Sequence, residues 1–171
     1  NVYVAMLSKL SSGNYCVCGD KCFGRQGHTC EDVSWTAFPG NGKMPTSGNY
    51  YLNEDTTITF AAGLCSIDGA LALDLHGQTL TLEATGKGRA FTVGAGETFS
   101  ICDSVGGGQI ILQGNLEQIG GLIFNAGGTA NIYGGTIDAS AINTTVDGVV
   151  IRSANNSTCN IYNATLIGGT T

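Results

Sequence analysis

"TANIYGG" at residues 129–135 decides how this chain folds, because two near-copies flank it. "TFSICDS" occupies 98–104 and "TCNIYNA" occupies 158–164, so the three starts stand 31 and 29 residues apart. Each follows an apolar run and a turn: "AFTVGAGE", "LIFNAGG" and "VVIRSANNS". Each leads into a glycine or other small residue and a further short strand. Upstream, "LALDLHGQTLTLEA" at 71–84 has the same rhythm of strand, glycine turn and strand. A period near thirty with several short strands suits one coil of a parallel β-solenoid. A propeller would need longer blades joined by antiparallel hairpins, and a sandwich imposes no stacking register.

Laying the copies in register sorts their side chains. Phe99, Ala130 and Cys159 align, as do Ile101, Ile132 and Ile161 two residues on. Because side chains alternate across a strand, these fill the interior. Ser100, Asn131 and Asn160, then Cys102, Tyr133 and Tyr162, point out of the coil. Tyr133 and Tyr162 thus form an outward aromatic stack flanked by Asn131 and Asn160. Aromatic faces beside amides suit the apolar faces and hydroxyls of sugars, which makes these four residues the candidate glycan contacts.

Composition narrows the classes. The 171 residues include 27 Gly but only two Pro, which fits many strands joined by tight turns. A net charge of −6 with seven Lys and Arg leaves no basic stripe, so nucleic acid and anionic membranes are not expected partners. No apolar run approaches the ~20 residues of a membrane span. "YVAMLSKL" at 3–10 is too short for an independent helix, and "VYVAML" at 2–7 reads as a strand. The first ten residues lack the basic start and long apolar run of a signal peptide, so the chain reads as a mature product or a fragment. Few charges with abundant Ser, Thr, Asn and Gly point to an extracellular or cell-surface protein. Asn143, Asn155, Asn156 and Asn163 open glycosylation sequons, relevant in a eukaryotic source.

"CVCGDKCFGRQGHTC" at 16–30 holds four of the seven cysteines. Two chemistries fit. Zinc needs four thiolate or imidazole ligands, and Cys16, Cys18, His28 and Cys30 supply them, with Cys18 and Cys22 plus the same later pair as a second set. Two disulfides would instead consume Cys16, Cys18, Cys22 and Cys30 in one of three pairings. An extracellular setting favours the disulfides. Redox catalysis is disfavoured, since the spacing is not C-x-x-C and no helix follows. On either reading the knot is structural. It is expected to project from the first coil, with Trp35 packing it onto the strands. Cys159 belongs to the interior ladder, while Cys65 and Cys102 read as idle thiols.

Catalytic residues are not apparent. Glycosidic hydrolysis needs two carboxylates facing across a sugar, and a lyase needs clustered acids for calcium. Here the acids are scattered about one per turn, and the adjacent Glu54 and Asp55 face opposite ways. Asp74 and His76, two apart, share a face as a polar pair at a turn. "GKGRAF" and "GAGETF" are turn glycines.

One family is similar. Cys16, Cys18 and Gly19, then His28 and Cys30, then Trp35, Thr36 and Ala37, then Pro45, Gly48, Tyr50, Tyr51 and Leu52 resemble a pattern in large surface proteins of Firmicutes. Those proteins carry pectate-lyase-like right-handed β-helices interrupted by Cys- and His-containing inserts. Phe38 and Met44 depart from the pattern, Cys22 is extra, and the likeness covers roughly residues 16–110. The resemblance implies the fold more than a function, and a family histidine beside three cysteines favours zinc.

The expectation is an all-β, right-handed parallel β-helix over 46–171, preceded by an N-terminal strand and Cys/His-rich module over 1–45. Its expected role is non-catalytic: a segment of a larger surface protein, or a filament subunit stacking head to tail on itself or an adjacent β-rich unit. The alternative is a polysaccharide-binding adhesin or a polysaccharide-degrading β-helix.

Overall fold

The computed structural model describes residues 14–19, 29–86, 88–116, 121–144 and 150–168. Cys22, His28 and the run at 2–7 lie outside them. The described residues form strands and turns, and no helix among them is long and apolar enough to cross a membrane.

Successive strands wind through three parallel sheets. The first coil runs β4 (Gly48–Tyr51), β5 (Thr56–Phe60) and β6 (Cys65–Ser66). The second is β7 (Ala70–Asp74), β8 (Thr79–Gly86) and β9 (Phe91–Val93). The third is β10 (Thr98–Cys102), β11 (Gln109–Leu116) and β12 (Ile123–Ala126). The fourth is β13 (Thr129–Ile132), β14 (Thr136–Thr144) and β15 (Ile151–Ala154), and β16 (Thr158–Ile161) with β17 (Thr165–Ile167) opens a fifth. Each strand hydrogen-bonds to its counterpart one coil away, which makes the molecule a β-solenoid.

The register is the one the repeats imply. Phe99 pairs with Ala130 and Ala130 with Cys159, while Ile101, Ile132 and Ile161 form the parallel row beside them. Leu71 and Leu73 extend both rows one coil earlier. On the second sheet Leu80, Ile110 and Ile137 stack, and on the third Phe91, Ile123 and Ile151. These rows converge on one apolar core. Each large side chain so enclosed contributes roughly 1.5–3 kcal/mol.

The core begins earlier than residue 46. β3 (Thr36–Ala37) pairs with β4, and Phe38 and Met44 are buried among the solenoid residues. The wall of the solenoid therefore reaches into the span assigned to the N-terminal module.

Close stacking leaves little room at some corners. At Gly114, φ is +93° and a Cβ would stand 2.2 Å from the Ala84 carbonyl oxygen, so only glycine fits. Buried Asn125 closes another corner, donating to the Thr158 carbonyl at 2.7 Å and accepting from the Gly128 amide at 3.0 Å.

The described part of the module packs onto the coils, with Trp35 in the contact as expected. β1 (Asn14–Cys16) and β2 (Asp32–Ser34) pair antiparallel as a small hairpin. It lies on the outer face of the sheet containing β7, β10 and β13. Tyr15, Cys16, Cys18 and Trp35 pack there against Ala72, Cys102 and Tyr133 in a second apolar cluster. The physical reason is on the sheet: its outward positions here carry apolar groups, and covering them removes them from water.

Candidate functional site

The most elaborate polar arrangement sits under this hairpin, at the turn after β7. Asp74 is fully buried, yet it is saturated with donors. Its Oδ1 accepts from the His76 amide and from the Ser104 amide, both at 2.9 Å. Its Oδ2 accepts from the Ser104 hydroxyl at 2.6 Å and the Tyr15 phenol at 2.5 Å. The His76 Nδ1 is 3.4 Å from the same Oδ2 and 3.1 Å from Ser104 Oγ.

Local structure explains the convergence. Asp74 ends β7, and His76 follows in the left-handed region at φ +52°, which folds its ring back. The stacking register pairs Cys102 with Asp74, so Ser104 stands one coil from His76. Asp103, beside it, accepts from the amides of Gly77, Gly106 and Gly108 at 2.8–3.1 Å and holds both turns.

Electrostatics follow from these contacts. Burial alone would raise the Asp74 pKa, but hydrogen bonds from His76, Ser104 and Tyr15 outweigh it and bring it to about 2. The hydrogen bond to Asp74 raises His76 above its ordinary value, against the opposing effect of burial. Burial, then the Asp74 charge, pushes the Tyr15 phenol far above its usual range. Cys102 is pushed well up by burial and then by the same carboxylate.

Asp, His and Ser side chains thus meet, although the sequence placed only Asp74 and His76 together. They do not form a nucleophile relay. Such a relay sets the hydroxyl on one imidazole nitrogen and the carboxylate on the other. Here both face Nδ1, and the serine proton already goes to Asp74. The geometry is that of a clasp: it ties Tyr15 of the hairpin to the solenoid turn.

Beside the clasp, the Sγ atoms of Cys16, Cys18 and Cys30 lie within 4.8 Å of one another. The Cys18 and Cys30 sulfurs are 3.6 Å apart, well beyond the ~2.05 Å of a disulfide. Three members of the zinc set are therefore together, and His28 and Cys22 lie outside the described residues. Cys65 is buried elsewhere, its thiol donating to the Pro45 carbonyl at 3.2 Å and raised to about 11 by burial and then Glu97. Cys159 packs against the main core.

The glycan candidates fare differently. Tyr133 and Tyr162 stack with centroids 4.8 Å apart and planes 10° off parallel. Yet Tyr133 is only 3% exposed, because the hairpin cluster covers it, and no open two-ring platform results. Asn160 donates to the Asn131 oxygen at 2.9 Å, and Asn131 to Ser100 Oγ at 3.5 Å, so these amides form a ladder along the stack. Asn143, Asn155, Asn156 and Asn163 are all exposed.

Comparison with known proteins gives no relative: no protein-family model, curated protein or solved structure matches this chain. Its function is therefore argued from its own residues.

Proposed function

We propose that this chain is a non-catalytic extracellular β-solenoid, a segment of a surface protein or filament that stacks end to end. The observation that carries this reading is the last described coil. Ile161 is 47% exposed there, although its counterparts one and two coils earlier, Ile132 and Ile101, are fully buried. β16 and β17 are the outermost strands of their sheets, each with one described neighbour. An apolar row ending beside a free strand edge is a template for another β-unit.

The Asn131–Asn160 ladder points the same way. Its amides donate toward the earlier coil, so a further coil offering an amide would continue it. The resemblance to Firmicutes surface proteins agrees with a cell-surface setting. The described buried acids support a structural role, since Asp74 and Asp103 direct their oxygens at the chain's own amides.

Sedimentation velocity and electron microscopy of the purified chain test this. Concentration-dependent association into end-to-end particles is expected. The variant Ile161→Asp should abolish association while the fold persists. A wild-type chain that stays strictly monomeric with an ordered, solvent-exposed last coil would overturn the reading.

A further inference from the structure

We propose that Cys16, Cys18 and Cys30 bind a thiophilic divalent ion, zinc foremost, as three thiolates, and that the ion fastens the two ends of the N-terminal hairpin together. Cys16 ends β1, Cys18 lies in the turn after it, and Cys30 stands two residues before β2. The ion would therefore join both strands of a hairpin whose strands are only three residues long. Hydrogen bonds of so short a pair do little alone.

The spacing fits zinc. With Zn–S bonds of about 2.3 Å, tetrahedral thiolates stand about 3.8 Å apart, and Cys18 and Cys30 are already 3.6 Å apart. One disulfide would leave the third sulfur of the cluster beside it, whereas one ion uses all three. Cys16 and Cys18 are buried and Cys30 is exposed, which gives the ion a dry site with one open approach. Cys102, a buried thiol of the coils, belongs to the same apolar cluster as Cys16 and Cys18.

The chemistry balances simply: three thiols and Zn²⁺ give a trithiolate complex of charge −1 and release three protons. Binding is therefore tighter at higher pH. The site stands whether or not the last coil stacks on another unit, since none of its three sulfurs belongs to that coil.

The full chain, purified with reductant, provides the test. Wild type should carry one zinc per chain, shield three thiols until a chelator is added, and give intense thiolate-to-cobalt charge-transfer bands when loaded with Co²⁺. Cys30→Ser should weaken zinc binding by more than about tenfold, and Cys159→Ser should leave it unchanged. Removing zinc should speed amide exchange in residues 14–34 and spare the coils. Reduced wild type that binds neither zinc nor cobalt through thiolates would overturn the proposal. So would mass spectrometry finding Cys16, Cys18 or Cys30 in a disulfide in protein handled without reductant. If Cys30→Ser does not fold, the wild-type cobalt spectrum decides alone.

Discussion

The Tyr15 phenol reaches the Asp74 carboxylate, 59 residues along the chain, at 2.5 Å in a buried setting. This buried contact adds a polar link between hairpin and solenoid to the apolar packing around it. Tyr15 is positioned from behind as well: Trp35 stacks on its ring at 4.8 Å and donates its indole N–H to the Tyr15 carbonyl at 2.9 Å. Removing only the hydroxyl, Tyr15→Phe, keeps the stack and deletes the link. We expect the hairpin to lose about 1–2 kcal/mol of docking stability. Amide exchange should quicken at 14–19 and 29–34 while coil amides stay protected.

The stability of the folded chain should also depend on pH from two sides. The Asp74 pKa falls from 3.8 to about 2 on folding, so its contribution is complete above about pH 5 and is lost as pH drops toward 2. The His76 pKa is raised above 6.5, so its contribution is complete below that value and is lost as pH rises through the raised one. Denaturant titration across pH should find the highest stability at mildly acidic pH. His76→Gln should remove the alkaline limb, whereas Asp74→Asn should remove the acid limb and most of the alkaline one, because Asp74 is what raises His76.

Gly114→Ala tests how closely the coils stack. The added methyl would meet the Ala84 carbonyl oxygen at 2.2 Å on a backbone at φ +93°. Neither problem can be relieved without moving a strand. Thermal denaturation should show a loss of about 2–4 kcal/mol, whereas Gly96→Ala, with open space around its Cβ, should cost only its φ strain.

Asn125→Ala removes both bonds of a fully buried amide and leaves the Gly128 N–H and Thr158 carbonyl unanswered. Each orphaned group costs about 1–3 kcal/mol, so roughly 2–4 kcal/mol should be lost in denaturant titration. Proteolysis should begin near residue 158, because the last coil is the one that Asn125 anchors.

The solenoid was legible because parallel stacking puts equivalent residues side by side: Ile101, Ile132 and Ile161 align in sequence for the reason they touch in space. The Asp74–His76 pair was legible from its spacing of two. Tyr15 and the covering hairpin were not, since no periodicity ties residue 15 to residue 74. A signal did exist. Ala72, Cys102 and Tyr133 occupy outward positions where a wetted sheet would carry charged side chains, and such a row asks for a cover. The same oversight made Tyr133 look like an open sugar platform. His28 and Cys22 lie outside the described residues, so the choice of fourth ligand rests with chemistry.

The placement of the hairpin changes how the molecule should come apart. In a bare solenoid each coil touches only its neighbours, so an end can peel away one coil at a time. Here one element touches Ala72, Cys102 and Tyr133, in three successive coils. It works as a splint along the long axis. Tension applied to the last coil would then meet a block of coils that yields as one piece when the splint lets go.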